Sequence, residues 1–406
     1  MLKIYVCGPT VYDELHIGNM RPILTFDLML KAARYLKKDF IFIHNITDID
    51  DKIIFKAKEQ NISEKELAQK YSQKYLNHLK TFSVDTITKL EYVTKNLEYI
   101  ESFLDKLYKR DNAYLIENSG LYFNVEKNLN NYGKISNQNL DDMHFDFDLN
   151  SKLQKYNKAD FALWKNTSEG IKFDSKFGQG RPGWHTECVA LIEKNFGDSQ
   201  LDIHGGGVDL IFPHHENENI QYQALYQKDI TKKWLRSGQI NLNNEKMSKS
   251  LQNIISVDAF LENNSGNTLK FIFLMSSLTA NINLNENLIS DASNLDKKLT
   301  KLSFLAKVNN LEIKPYDVSK EMKFLFELSF SKFMFEVNAL LKNANKNDLE
   351  ALNKLLFLFN TLGFSYDKLD FSSEIQTYKK WKAALELKDY KSADLLREDL
   401  LKKNLI

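Results

Sequence analysis

The sequence predicts an α/β protein: a doubly wound parallel sheet split by an insertion, followed by an all-α C-terminal helical domain. Three observations predict it. The apolar runs "KIYVCG" and "DFIFIHNIT" bracket a helix-periodic stretch, "RPILTFDLMLKAARYLKK", which is the strand–helix–strand rhythm of a parallel sheet. The next strand-like run, "LDIHGGG", arrives only after residue 200, so another segment is inserted before it. From about residue 290 onward the pattern is helical throughout, as in "KLTKLSFLAKVNNLEI" and "EMKFLFELSFSKFMFEVNALLKNA".

The first strand starts almost at residue 1. "MLKIYVCGPTVY" has no basic region followed by an apolar core, so no secretory signal is expected and the cytoplasm is the default location. The strand ends at Cys7, Gly8 and Pro9 turn, and His16-Ile17-Gly18-Asn19 opens the next helix. In a Rossmann-like sheet, ligands bind beyond the carboxyl ends of the strands, and a helix N-terminus there offers free N–H groups to phosphate. The insertion starts with an amphipathic helix whose apolar face is Val93, Leu97, Ile100, Leu104 and Leu107. It continues into the polar "NLNNYGKISNQNLDD", which reads as loop. The expected domains are the sheet over 1–92 and 183–230, the connective insertion over 93–182, a linking segment over 231–290, and the helical domain over 291–406. The last stretch, "YKKWKAALELKDYKSADLLREDLLKKNLI", reads as two charged helices.

Composition sets limits on partners. Apolar residues make up 43% and charged residues 27% of 406, as in ordinary soluble domains. The apolar runs are too short to span a bilayer, so no membrane partner is expected. With a net charge of +1, any nucleic-acid surface has to be local. The two cysteines, Cys7 and Cys188, are not expected to pair in a reducing cytosol.

Chemistry concentrates in a few stretches. "FPHHENE" places His214 and Glu218 four residues apart, on one face if the segment is helical. With Cys7 and Cys188 they make a four-ligand zinc set of two thiolates, an imidazole and a carboxylate. The plain alternative is two inert buried cysteines and a helix-start histidine pair. Five of the eight histidines (His16, His185, His204, His214, His215) crowd the same stretches. "EKMSKS" offers two lysines and two serines to a polyphosphate; alone it could be a solvated charged loop.

"HIGN" followed past a split sheet by "KMSKS" resembles the paired motifs of class I aminoacyl-tRNA synthetases. "YVCGPTVYDELHIGN", "NITDIDDKI", "DFALWK", "GRPGWHTEC", "HGGGVDLIFPHHENE" and "EKMSKS" together are similar to the cysteinyl-tRNA synthetase family, from residue 4 to about residue 290 and more loosely beyond. The resemblance implies ATP-dependent activation of L-cysteine to cysteinyl-adenylate, with Mg2+ accompanying ATP, and transfer to the 3′ end of tRNA(Cys). It implies one Zn2+ on Cys7, Cys188, His214 and Glu218, with His215 and Glu216 behind the ligands, fixing their orientation. It implies that His16, Asn19, Lys246 and Lys249 stabilise charge on the transferring phosphates. ATP would lie on Gly8, Pro9, His16, Gly18, Asn19, Gly205, Gly206, Gly207, Asp209 and Lys249. The amino acid would lie against Thr47, Trp184, His185 and His204. Zinc gives such an enzyme a physical means of rejecting serine. Near-isosteres are poorly separated by shape, whereas a soft, thiolate-rich metal distinguishes sulfur from oxygen. No hydrolytic proofreading site is then required, and the insertion is expected to be short and loop-rich.

The sequence departs from the family in places. Asn19 stands for the second histidine of the general class motif, as is common in cysteine enzymes, and Gln252 stands where glycine is usual. Compared with the family, the sequence opens on the nucleotide-fold strand where relatives commonly carry a short leader, and stops at "LLREDLLKKNLI" where they usually carry a small additional segment, a difference expected to bear on anticodon contacts more than on catalysis. Lys379, Lys380, Lys382 and Lys388 beside Tyr378 and Trp381 could hold phosphate and stack on bases; the alternative is that these helices pack together with solvated faces. A monomer is the default expectation. Two other functions remain open at this stage: a ligase passing activated cysteine to an amino sugar, and a catalytically inactive zinc protein that binds RNA.

Overall fold

Leu2–Val6 forms strand β1, in which Ile4, Tyr5 and Val6 are fully buried. A parallel strand covered on both faces reads as a continuous apolar run, so the alternation of a surface strand is missing. Helix α1 (Ile17–Tyr35) follows, then β2 (Phe40–Ile46), α2 (Asp51–Gln60), α3 (Glu64–Thr81) and β3 (Lys89–Tyr92). Asp50 starts α2 by accepting from the Lys52 amide, and Asn61, left-handed at φ 52°, ends it. The computed structural model describes residues 1–138, 155–247 and 253–406.

After β3 the chain makes a tight turn over Val93–Asn96 before α4 (Leu97–Lys109). The helix expected from Val93 therefore begins one turn later, because Asp48 accepts the Thr94 amide at 2.9 Å and holds the chain in the turn. The buried face of α4 is Ile100, Phe103, Leu104 and Leu107. A second, antiparallel sheet then runs in the order β4 (Ala113–Ile116), β5 (Gly120–Phe123), β6 (Ala162–Asn166), β7 (Gly180–Pro182). The sequence suggested a loop-rich segment here. These strands have only 3 to 5 residues, too few for a period to show.

Next come α5 (Trp184–Phe196), β8 (Ile203–Gly207), α6 (Glu216–Tyr226) and β9 (Trp234–Ser237). The five-stranded sheet has the order β3-β2-β1-β8-β9, and every neighbouring pair is parallel. Val6 lies between His44 of β2 and Gly205 of β8. Strand order reverses between β1 and β8, so their carboxyl ends flank the switch point at which open α/β sheets bind ligands. β9 lies beyond residue 230, so the sheet continues past that position. These elements belong to one compact unit, Met1–Ile23, Asp39–His78 and Thr86–Gln239.

The second unit comprises Leu24–Lys38, Leu79–Asp85 and Ile240–Ile406. It contains a small sheet of β10 (Ile240–Leu242), β11 (Glu245–Lys246) and β12 (Ile282–Leu284), ordered β11-β10-β12. Around it in sequence run α7 (Val257–Asn263), α8 (Gly266–Leu274), α9 (Glu286–Val308), α10 (Ser319–Phe326), α11 (Phe330–Ala344), α12 (Leu349–Thr361), α13 (Ser372–Glu386) and α14 (Tyr390–Lys402). Phe304 of α9, Phe371, Leu400 and Leu405 form a buried cluster against which Tyr378 and Trp381 pack. Lys382 Nζ lies 4.6 Å from the Trp381 ring centre. These two aromatic rings, expected to be available for stacking on bases, are therefore partly used within the unit.

Candidate metal centre and nucleotide site

Cys7 directly follows β1, and its amide donates to the Gly205 carbonyl at 3.1 Å, tying the end of β1 to β8. Only glycine fits next: a Cβ on Gly8 would lie 1.6 Å from the Asn45 carbonyl oxygen. The Gly8 amide donates to Asn45 Oδ1 at 2.8 Å. Cys188 lies on α5, His214 in a wide turn over Ile211–His215, and Glu218 at the start of α6. The pair four residues apart thus straddles the turn and the helix rather than lying within one regular helix.

The ligand-capable atoms of Cys7, Cys188, His214 and Glu218 all lie within 4.8 Å of one another. His214 Nε2 is 2.8 Å from Glu218 Oε1 and 3.6 Å from Cys7 Sγ. Burial pulls the His214 imidazole down, but Glu218 and Cys188 outweigh it and raise its pKa to about 10. Burial also pushes the Cys7 thiol up. A hydrogen bond with Cys7 draws Cys188 down to about 6 despite desolvation. For Glu218 the desolvation penalty is overcome by His204 and His214, which hold the carboxyl well below its usual range.

The donors fit a metal ion. Two sulfurs, a nitrogen and a carboxylate oxygen are all donor types that zinc takes. Glu218 Oε2 and both ring nitrogens of His204 are buried without a hydrogen-bond partner, which buried polar atoms rarely tolerate. His204 Nε2 lies 2.6 Å from Glu218 Oε2, but the approach lacks hydrogen-bond geometry. A second group meets the same distance criterion: Cys7, His204, His215 and Glu218.

Other expected site residues gather nearby. The Trp184 ring, 36% exposed, stacks on His214 at 4.3 Å. His185 is 5.6 Å from His214 between ring centres, and burial drives its pKa down to about 3. Thr47 Oγ1 donates to Glu187 Oε2 at 2.9 Å and accepts from Asn45 Nδ2 at 3.2 Å. His204 stacks on Trp234 at 4.5 Å. At the start of α1, the His16 amide donates to Asn19 Oδ1 at 3.0 Å, leaving Gly18 in the first turn. Gly205, Gly206 and Gly207 end β8, and Asp209 lies in the single helical turn after it. Lys246 belongs to β11 of the second unit, while Lys249 and Gln252 fall outside the described residues.

Glu216 departs from expectation. Its carboxylate accepts the backbone amides of Gly133 at 2.9 Å, Ile135 at 3.0 Å and Ser136 at 2.7 Å, so it holds a loop of the insertion instead of orienting a ligand. Glu187, Trp234 and Arg236 were not singled out from the sequence. The alternation in "WLRS" could have placed Trp234 and Arg236 on one face, but nothing local says what that face meets.

Residues 1–294 match the family described as tRNA synthetases class I (C) catalytic domain. A cysteine–tRNA ligase of Malacoplasma penetrans is 41% identical over 426 residues, spanning 100% of this chain and 95% of the relative. The chain belongs to the cysteine–tRNA ligase family. Relatives of that name from Mesomycoplasma hyopneumoniae strain J and Mycoplasma mycoides subsp. mycoides SC are 41% and 38% identical, spanning 99% and 100% of this synthetase and 96% of each relative. Among solved structures, an Agrobacterium radiobacter K84 LeuRS–tRNA–LeuAMS complex superposes with a TM-score of 0.63 at 9% identity, covering 89% of this chain and 82% of that one. Mycobacterium tuberculosis methionyl-tRNA synthetase bound by methionyl-adenylate gives 0.59 at 14% identity, covering 93% and 84%. At such identities these two likenesses show the fold of this synthetase. No helix among its described residues is long and apolar enough to cross a membrane.

Proposed function

We propose that the protein activates L-cysteine with ATP and transfers it to tRNA(Cys), and that one zinc ion held by Cys7, Cys188, His214 and Glu218 distinguishes the substrate thiol from an alcohol. The observation that carries this reading is the convergence of those four donors within 4.8 Å at the switch point of the sheet. When bound, zinc supplies a soft Lewis acid that favours thiolate over hydroxyl.

The chain's own residues do the rest. Trp184, His185 and His204 wall the space beside the donors, and Thr47 presents a hydroxyl whose own proton is engaged by Glu187. ATP lies at the carboxyl ends of β1 and β8, on Gly8, Pro9, Gly205, Gly206, Gly207 and Asp209, with its phosphates toward His16, Gly18 and Asn19 at the start of α1. The cysteine carboxylate attacks the α-phosphorus and pyrophosphate leaves. The terminal tRNA hydroxyl then attacks the cysteinyl carbon and AMP leaves. His16, Asn19, Lys246 and Lys249 act by positioning and by stabilising the charge that builds on phosphate oxygens. Magnesium accompanies the ATP phosphates. The protein acts as a monomer in the cytoplasm.

Neither an amino-sugar acceptor nor an inactive RNA-binding role draws support from the relatives described above. The test is ATP–pyrophosphate exchange with cysteine or serine, followed by charging of tRNA or of an amino sugar. Exchange with cysteine at least a hundredfold above serine, and charging of tRNA alone, is expected. Equal exchange with serine would overturn the zinc reading, and transfer to the amino sugar would overturn the acceptor.

A further inference from the structure

Two overlapping donor groups share Cys7 and Glu218: one is completed by Cys188 and His214, the other by His204 and His215. Distance alone does not choose between them. The choice lies in which nitrogen of His215 carries its hydrogen.

β9 settles that point. Successive side chains on a strand point to opposite faces, so Trp234 and Arg236 share one. The register pairs His204 with Trp234 and Gly206 with Arg236. The Trp234 ring lies 4.5 Å from His204 and 4.7 Å from His215. Arg236 lies over Trp234 at 4.6 Å and donates its Nε–H to His215 Nδ1 at 3.1 Å. A guanidinium has donors and no acceptor, so Nδ1 must be the accepting nitrogen. The ring hydrogen is then on Nε2, which lies 3.8 Å from Cys7 Sγ. A nitrogen that carries hydrogen has no lone pair to give a metal. The backbone of Gly206 closes the other side: a Cβ there would come within 3.1 Å of His215 Nε2.

We propose that Arg236 is a positioning residue that acts through His215. It makes His215 a hydrogen-bond donor to the Cys7 sulfur and removes it from the competing donor group, so that the metal settles on Cys7, Cys188, His214 and Glu218. This rests on the zinc reading given above, and it adds a residue that belongs to neither donor group. The donated hydrogen bond draws charge from the Cys7 sulfur, which tunes how strongly the metal takes a further thiolate.

The test uses full-length protein loaded with cobalt(II), whose thiolate-to-metal charge-transfer band counts coordinated sulfurs. Wild type should show a two-thiolate band. Arg236→Met should lower that band per cobalt toward half, as His215 enters the competing one-thiolate group, and should weaken metal affinity by roughly 10–100-fold. Arg236→Lys, which keeps a cationic donor, should restore part of the two-thiolate band. Nitrogen-15 spectra of histidine-labelled protein, with the His215 signal identified by its loss in His215→Gln, should show hydrogen on Nε2 in wild type and not in Arg236→Met. A two-thiolate band unchanged in Arg236→Met, or hydrogen on Nδ1 of His215 in wild type, overturns the proposal while leaving the zinc reading intact. Wild type that takes up no cobalt overturns both.

Discussion

Two helices show how differently the two units use their interiors. In the first, α6 has the sequence "ENENIQYQALY" and is buried from Glu216 through Leu225. In the second, α12, "LEALNKLLFLFNT", buries mainly leucine and phenylalanine. Burying α12 needs no further partners, whereas every polar side chain of α6 has to be matched. Asn217 accepts from the Tyr132 hydroxyl at 2.7 Å, Asn219 Oδ1 accepts from the Ile230 amide at 2.9 Å, and Gln221 donates to the His185 carbonyl at 3.0 Å. Such a helix contributes less to hydrophobic stability. What it secures is the placement of His214, His215 and Glu218 beside Cys7. The comparison separates a unit whose polar interior serves a site from one whose interior serves packing.

The largest expected effect tests whether that separation is complete. Lys249 follows Lys246 of β11 in sequence and is proposed to stabilise phosphate charge. Lys249→Ala should slow cysteine activation by about a hundredfold to a thousandfold, the usual cost of losing one such contact, with cysteine affinity nearly unchanged. Normal activation in the variant would remove Lys249 from the chemistry and leave Lys246 as the second unit's proposed contribution.

A smaller effect is expected from the exposed lysines of α13. Removing α13 and α14 would uncover Phe304 and Phe371, so charge reversal is the cleaner probe. Lys379→Glu with Lys380→Glu should leave pyrophosphate exchange unchanged, weaken tRNA charging at low tRNA concentration, and reduce the salt dependence of tRNA binding by about one slope unit per lysine. Charging that is unaffected at every salt concentration would mean that these helices serve packing alone.

The smallest effect comes from the second unit's own exception, Lys270. It is 2% exposed, its amine donates to the Gly363 carbonyl at 2.9 Å, and burial drives its pKa down to about 7. Between about pH 7 and pH 10 the unfolded chain keeps this proton and the folded chain releases it. Stability from this group therefore rises with pH across that window, and the burial penalty is complete below it. From pH 7 to pH 9 wild type should gain roughly 2 kcal/mol relative to Lys270→Met, read as a difference in denaturation midpoints. Parallel pH curves would contradict this.

Much of the architecture was legible because it is local. β1 and β2 announce themselves as continuous apolar runs, and the helical C-terminal region by its period. Cys7, Cys188, His214 and Glu218 were legible as a group through their residue types and through the family resemblance, whereas the four-residue step, read as one helix face, spans a turn and a helix. What escaped depends on contacts far apart in sequence. Thr47 meets Glu187 across 140 residues, and Glu216 meets the Gly133–Ser136 loop across about 80. Arg236 meets His215 only because β9 pairs with β8 in one register. The strands β4 to β7 escaped because each is shorter than the window in which alternation can be recognised.

The central claim, that Cys7, Cys188, His214 and Glu218 hold a zinc ion that binds the substrate sulfur, is tested most directly by zinc-edge X-ray absorption on the purified protein, with and without cysteine. The account predicts two sulfurs per zinc in the free protein and three once cysteine is bound, with serine leaving the count at two. Protein that binds no zinc, or a sulfur count that does not change with cysteine, would contradict it.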